Sequence, residues 1–143
     1  MSSGLSHITF IVNDLEQTTR LLKDVLKARE VYASGENTFS LSPEKKFFLV
    51  GDVWIAIMKG EALPGRTYNH VAFKIEDSEF DDRLAAIERL GLEIKPPRPR
   101  IEGEGRSIYF YDNDNHLFEL HTGTLEMRLE NYRQILQERR SAE

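Results

Sequence analysis

The sequence predicts an α+β protein built from two tandem βαβββ modules followed by a C-terminal helix. Three observations carry that expectation. His7-Ile8-Thr9-Phe10-Ile11-Val12-Asn13-Asp14 and His70-Val71-Ala72-Phe73-Lys74-Ile75-Glu76-Asp77 align without a gap, with His, Phe and Asp in register 63 residues apart. After each copy the apolar spacing switches from a period of two to a helical period. Each helical stretch is then followed by short alternating segments set off by glycine or proline. In a chain of 143 residues such a duplication means two like modules folded together, module 1 about 4–59 and module 2 about 67–123.

The elements follow in order. Residues 5–12 alternate as a strand, with Leu5, His7, Thr9 and Ile11 on one face and Ile8, Phe10 and Val12 on the other. Asp14 is placed to cap a helix whose stripe is Leu15, Thr18, Leu22, Val25 and Leu26. Strands fit 30–33, 37–41 with 46–50, and 53–58, with turns at Ser34-Gly35 and Gly51-Asp52. Gly60, Pro64 and Gly65 form the linker. In the second module a strand covers 69–75, and Asp77 or Ser78 caps a helix striped by Phe80, Leu84, Ile87 and Leu90 and ended by Gly91. Strands follow near 92–95, 106–111 and 116–122, with Pro96-Pro97-Arg98-Pro99 stiff and extended. A last amphipathic helix, about 125–139, carries Leu125, Leu129, Tyr132 and Leu136.

Composition narrows the function. The chain is 40% apolar and 30% charged, as a soluble globular domain is. Its net charge of −5 argues against nucleic-acid or anionic-membrane binding. With no cysteine there is no disulfide, thiolate ligand or cysteine nucleophile. No apolar run spans a membrane and no signal peptide opens the chain, so a cytoplasmic location is expected.

The repeat brings two histidines to corresponding places. A lone histidine in a half-buried strand is ordinarily a hydrogen-bonded structural residue; its recurrence marks His7 and His70 as candidate metal ligands. In the last strand Leu117, Glu119 and His121 point one way, and His116, Phe118 and Leu120 the other. The counterpart of Glu119 one repeat earlier is Ala56, so an acid appears in only one module. Two histidines and a carboxylate suit a first-row divalent metal, Mn(II), Fe(II) or Zn(II), with open positions for water and substrate. His121, on the Glu119 face, is a supporting group or spare ligand. His116 reads as a surface or turn residue beside Asp112, Asp114 and Asn115, and Trp54 as core in preference to pocket lining.

The stretches GLSHITFIV, TYNHVAFKI and GEGRSIYFYDNDNHLFELHTGTLEMRL resemble the vicinal oxygen chelate superfamily, and within it the FosX branch of the fosfomycin resistance family, over residues 4–130. The resemblance implies a homodimer with exchanged modules, His7 of one chain joining His70 and Glu119 of the other around Mn(II). It implies hydrolysis of the fosfomycin epoxide to a vicinal diol, with the metal as Lewis acid and Glu44 as general base. On its own Glu44 reads as part of a charged turn. The family pattern has a single lysine between that glutamate and the Phe pair, whereas this chain has Lys45 and Lys46 before Phe47 and Phe48. For the phosphonate the resemblance implies Ser107 and Tyr109 as hydroxyl donors, Thr9 beside the metal, and Arg128 as a guanidinium fork. Arg98 or Arg100 replaces the lysine that thiol-transferring relatives place before the glycine loop, and Tyr68 lines the pocket. Three other functions fit the same residues: a glutathione or other thiol transferase, an Fe(II) extradiol-type dioxygenase, and a metal-free drug-binding module.

Overall fold

The computed structural model describes residues 1–36, 43–97, 99 and 102–142. Module 1 runs β1 (His7–Val12), α1 (Leu15–Asp24), β2 (Arg29–Ala33), β3 (Lys45–Val50) and β4 (Val53–Lys59). Module 2 repeats the order as β5 (His70–Lys74), α2 (Phe80–Arg89), β6 (Ile94–Lys95), β7 (Ser107–Tyr111) and β8 (Leu117–His121), and α3 (Leu125–Ala142) closes the chain. Each module makes one four-stranded sheet, ordered β1-β4-β3-β2 and β5-β8-β7-β6. In both, the first strand lies parallel to the last, and the remaining pairs are antiparallel. The repeat survives in the register: His7 pairs with Trp54 and His70 with Leu117, and the same 63-residue offset relates both pairs.

Strand alternation gives each sheet an apolar face under a helix. Phe48, Ile55, Ile57 and Val12 are fully buried on the α1 face of the first sheet. Phe110, Phe118 and Leu120 do the same on the α2 face of the second. These faces meet in one core, where the Phe10 ring lies 5.2 Å from Phe118 and 5.0 Å from His116. Two hydrogen bonds, besides an ion pair of Lys27 with Asp82 at 3.8 Å, tie the modules together. The buried Arg83 of α2 donates to the Val25 carbonyl at the end of α1 at 2.7 Å. Asp114, 2% exposed in the β7–β8 turn, accepts from the Asn13 backbone N–H at 2.9 Å. The opposite face of each sheet carries the candidate ligands.

The capping expectation for α1 holds: Asp14 Oδ1 accepts from the N–H groups of Glu16 and Gln17. For α2 it is corrected. The chain turns at Glu76, where Glu79 reaches back to the Glu76 N–H at 3.1 Å, and a short 3₁₀ turn over Asp77–Glu79 precedes the helix. That reciprocal contact takes the place of an Asp77 or Ser78 cap. Gly91 adopts φ +68° past the end of α2, as its role requires. The 37–41 part of the expected second strand lies outside the described residues. β6 is shorter than expected, two residues against four. Among the described residues α3 buries no side chain: Leu125, Leu129, Tyr132 and Leu136 are 66, 50, 40 and 53% exposed. No helix among the described residues is long and apolar enough to cross a membrane.

Candidate metal and substrate site

β5 and β8 bring the first two candidate ligands together. His70 Nε2 stands 3.0 Å from Glu119 Oε1. Parallel pairing sets His70 opposite Leu117 and Ala72 opposite Glu119, so His70 and Glu119 share a face one pleat apart. His70 Nδ1 lies 2.7 Å from the Tyr68 carbonyl. A carbonyl only accepts, so Nδ1 carries the proton and Nε2 of the neutral ring presents its lone pair towards Glu119. A lone pair facing a carboxylate needs a cation between them or a proton on the nitrogen. Two ligand bonds of about 2.1 Å at right angles would set their donor atoms about 3 Å apart. The pair therefore fits a divalent metal, and the Tyr68 carbonyl orients the histidine as outer partners of metal ligands do.

Glu119 is 6% exposed, and a buried carboxylate needs donors. Ser107 Oγ donates to Glu119 Oε2 at 2.5 Å. The hydroxyl has one hydrogen, so towards His121 Nδ1 at 2.7 Å it accepts. That sets the His121 tautomer and makes Ser107 the bridge between Glu119 and His121. The antiparallel pairing Ser107↔His121 and Tyr109↔Glu119 builds this cluster.

The remaining expected residues fall in several places. Tyr109 is 5% exposed, and its hydroxyl accepts from the Tyr68 hydroxyl at 3.4 Å. Arg128, one turn into α3, lines a cavity of about 260 Å³ with Ala72, Glu119, His121, Gly123, Thr124 and Leu125. Thr124 Oγ1 caps that helix by accepting the Met127 N–H at 3.1 Å. The glycine turn before β7 works by close approach. Gly105 has φ +82°, and a Cβ there would meet Gly123 N at 2.7 Å. Arg98 and Arg100 lie outside the described residues.

His7 and Thr9 stand on the other sheet. The His7 ring packs against Trp54, centroids 4.1 Å apart and planes tilted by 30°, with Nδ1 2.9 Å from Ser6 Oγ. Among the described residues no three His, Asp or Glu side chains converge to hold a metal within the chain. Trp54, expected in the core in preference to pocket lining, faces the His7 side of its sheet. Its Nε1 is buried and, among the described residues, has no acceptor.

Glu44 is placed on the opposite side from the ligands. Its carbonyl accepts the Lys59 N–H at 2.8 Å, which aligns it with Lys59 and Val12. Val12 is fully buried on the α1 face, and Glu44 lines a separate cavity with Asn13, Asp14, Leu15, Glu16 and Lys59. Lys95, missed in the sequence, pairs with Tyr109 and so shares the Glu119 face, its Nζ 5.5 Å from the Tyr68 ring centroid. Its signal was the phase of a two-residue strand, too short to read alone. His116, expected at the surface or in a turn, closes the β7–β8 turn, half-buried, and bonds Asp112 Oδ2 at 2.7 Å.

Comparison with known proteins places this geometry. The profile of the Glyoxalase/Bleomycin resistance protein/Dioxygenase superfamily matches residues 4–120. The fosfomycin resistance protein FosX of Mesorhizobium japonicum is 65% identical over 90% of this chain and 92% of its own length. FosX of Listeria monocytogenes is 61% identical over 92% of this chain and 98% of its own. The metallothiol transferase FosB of Staphylococcus saprophyticus is further off, 33% identical over 94% of this chain and 86% of its own. Among solved structures, an E126Q variant of FosX from Listeria monocytogenes, complexed with Mn(II) and 1S,2S-dihydroxypropylphosphonic acid, superposes with a TM-score of 0.84 at 56% identity. It covers 92% of this chain and 99% of that one.

Proposed function

Because the chain belongs to the Glyoxalase/Bleomycin resistance protein/Dioxygenase superfamily and, within it, to the FosX-type fosfomycin resistance proteins, we propose that it is a cytoplasmic, Mn(II)-dependent hydrolase that opens the fosfomycin epoxide to a vicinal diol and so confers fosfomycin resistance. The observation that carries this reading is the convergence of His70 Nε2 and Glu119 Oε1 beside the cavity that Arg128 lines. The FosX structure holding Mn(II) and a dihydroxypropylphosphonic acid supports it. Held by His70, Glu119 and His7, Mn(II) supplies a Lewis acid for the oxirane oxygen. Arg128 offers a planar fork of donors to the phosphonate. Tyr109 and Tyr68 bring hydroxyls to the same face, Thr9 adds one beside His7, and Ser107 holds the Glu119 carboxylate in place. Glu44 keeps the general-base role that the resemblance implies; within one chain it lines a cavity with Asn13, Asp14, Glu16 and Lys59.

The site is completed by a second copy of the chain. His7 stands on the first sheet and His70 with Glu119 on the second, and within one chain these two faces look away from a shared core. A homodimer with exchanged modules sets His7 of one protomer beside His70 and Glu119 of its partner. The exposed leucines of α3 support such an assembly, since a row of apolar side chains this long marks a contact surface.

The test is phosphorus NMR of fosfomycin incubated with the protein and Mn(II), with and without glutathione or bacillithiol. Diol formation without thiol is the expected result. A product formed only with thiol would move the protein to the transferase chemistry of its FosB relatives. No product in either tube would overturn the fosfomycin reading.

A further inference from the structure

The side that α3 turns to the protein is not its leucine stripe. Arg128, Asn131 and Ile135 are half-buried, while the positions between them are exposed. Their spacing of three and then four residues sets them on one side of the helix. Leu125, Leu129, Tyr132 and Leu136 form the adjoining, exposed side.

The glycine loop before β7 meets this inner side. Gly103 has φ +93°, and a Cβ there would stand 2.9 Å from Asn131 Oδ1 and 3.0 Å from Asn131 Cγ. The Asn131 side chain thus lies over a position that only glycine leaves open. Two residues on, Gly105 abuts the lead-in to the same helix at Gly123. That end of the loop is fixed to the β7–β8 ladder. The Arg106 N–H donates to Thr122 Oγ1 at 2.9 Å, and the Thr122 N–H donates to the Arg106 carbonyl at 3.0 Å. One loop therefore touches α3 at two points, Gly123 before its first residue and Asn131 in its second turn. Arg128 stands between them, where it lines the cavity beside Glu119 and His121. A helix held at Gly123 alone is free to swing; the second contact fixes its direction. Asn131 Nδ2 is buried with no acceptor among the described residues, so the contact is one of fit and not of a hydrogen bond.

We propose that Asn131 is a positioning residue for substrate binding: seated on Gly103, it locks α3 to the glycine loop and so holds Arg128 over the site. The role of Arg128 in this inference rests on the fosfomycin reading; the seat of Asn131 rests on packing alone. A guanidinium gains from being held still, because its paired donors reach two oxygens of a phosphonate in one orientation only. The candidate metal ligands lie on β1, β5 and β8, so the lock bears on substrate and not on metal.

The experiment compares Mn(II)-loaded wild-type protein with N131A, N131L, R128K and N131A/R128K. Each is assayed for fosfomycin hydration and titrated calorimetrically with inorganic phosphate; wild type and N131A are also titrated with Mn(II). N131A is expected to raise the KM for fosfomycin and the Kd for phosphate about fivefold, with kcat and Mn(II) affinity within about twofold of wild type. N131L, close to asparagine in shape, is expected to keep KM within about twofold of wild type. In the R128K background, where one ammonium replaces the fork, N131A is expected to change KM less than about twofold. A fivefold change that persists there would show that Asn131 does not act through Arg128 and would overturn the inference. Unchanged KM and phosphate Kd in N131A would overturn it too, as would an equal loss of Mn(II) affinity or a loss in N131L as large as that in N131A. If wild-type protein binds phosphate but leaves fosfomycin untouched, the substrate reading fails, and the phosphate titrations alone decide for or against the lock. If it binds neither, Arg128 has no anion to hold and the inference falls.

Discussion

Replacing Ser107 with alanine tests how the metal site is held. The hydroxyl donates to Glu119 Oε2 at 2.5 Å and accepts from His121 Nδ1 at 2.7 Å. Glu119 is 6% exposed, so water does not freely replace that donor. A hydrogen bond to a charged group is worth about 1.5–3 kcal/mol. Ser107 occupies Oε2 while Oε1 faces His70 Nε2, so hydroxyl and metal do not compete for one oxygen. Losing the hydroxyl frees the carboxylate to rotate away from His70. Outer partners of this kind typically change metal affinity 10–100-fold, or about 1.4–2.7 kcal/mol. This range matches the hydrogen-bond figure, and its lower half is the better expectation where a small cavity adjoins the carboxylate. Calorimetric titration with Mn(II) is the assay. S107A is expected to bind at least about tenfold more weakly, and S107T, which keeps a hydroxyl, to recover most of the difference. Equal or tighter binding by S107A would refute the claim that this hydroxyl orients the ligand.

Further outcomes follow from other parts of the molecule. If modules are exchanged, H7A and H70A are each inactive, yet mixed subunits regain activity. Random pairing makes half the dimers hybrid with one intact site of two, so about a quarter of wild-type activity should return; no return would exclude exchange. G105A forces a Cβ to 2.7 Å from Gly123 N at φ +82° and should lower stability by about 2 kcal/mol or more, read as a drop of about 6 °C or more in thermal unfolding. Burial pushes the Asp114 carboxyl above its ordinary pKa, so folding penalises its ionised form. The penalty is present at neutral pH and relieved as pH falls through the raised value. D114N keeps an acceptor for the Asn13 N–H and avoids the penalty. Its stability relative to wild type, from denaturant titrations, should therefore be most favourable near neutrality and narrow towards the ordinary carboxylate range.

Much of the site's frame was written locally. The His7 and His70 segments announce two first strands, and the offset that set Glu119 against Ala56 reappears in the register, Glu119 beside Ala72 and Ala56 beside Thr9. Period-two alternation sufficed to put Glu119 and His121 on one side of their strand, and the β7–β8 register adds Ser107 and Tyr109 to it. What escaped depended on contacts distant in sequence. Nothing in Glu44-Lys45-Lys46 says which lysine is inward; Glu16 from α1 and Glu30 from β2 decide it by claiming Lys46. The start of α2 went to Glu76 because Glu79 bonds back to it, a choice among four neighbouring acidic or hydroxyl residues that periodicity does not rank. The resemblance implies Ser107 as a phosphonate donor, and only the burial of Glu119 across the ladder shows where its single hydrogen goes in this structure.

The Arg83 and Asp114 contacts carry a consequence for how the duplicated halves came to depend on each other. A guanidinium from the second half satisfies the carbonyl at the end of the first half's helix, and a carboxylate from the second satisfies an N–H just past the first half's opening strand. Neither partner lies in the linker. Cutting the chain between Gly60 and Gly65 would therefore leave two fragments that still fit, each holding polar groups only the other can satisfy. Such fragments would associate rather than fold apart, and a mutation in one half would be felt as instability in the other. The ancestral unit has lost its independence through these contacts and a shared core, and the joining peptide adds its own, the Leu63 N–H donating to the Asp114 carbonyl and the Leu63 carbonyl accepting from Asn115.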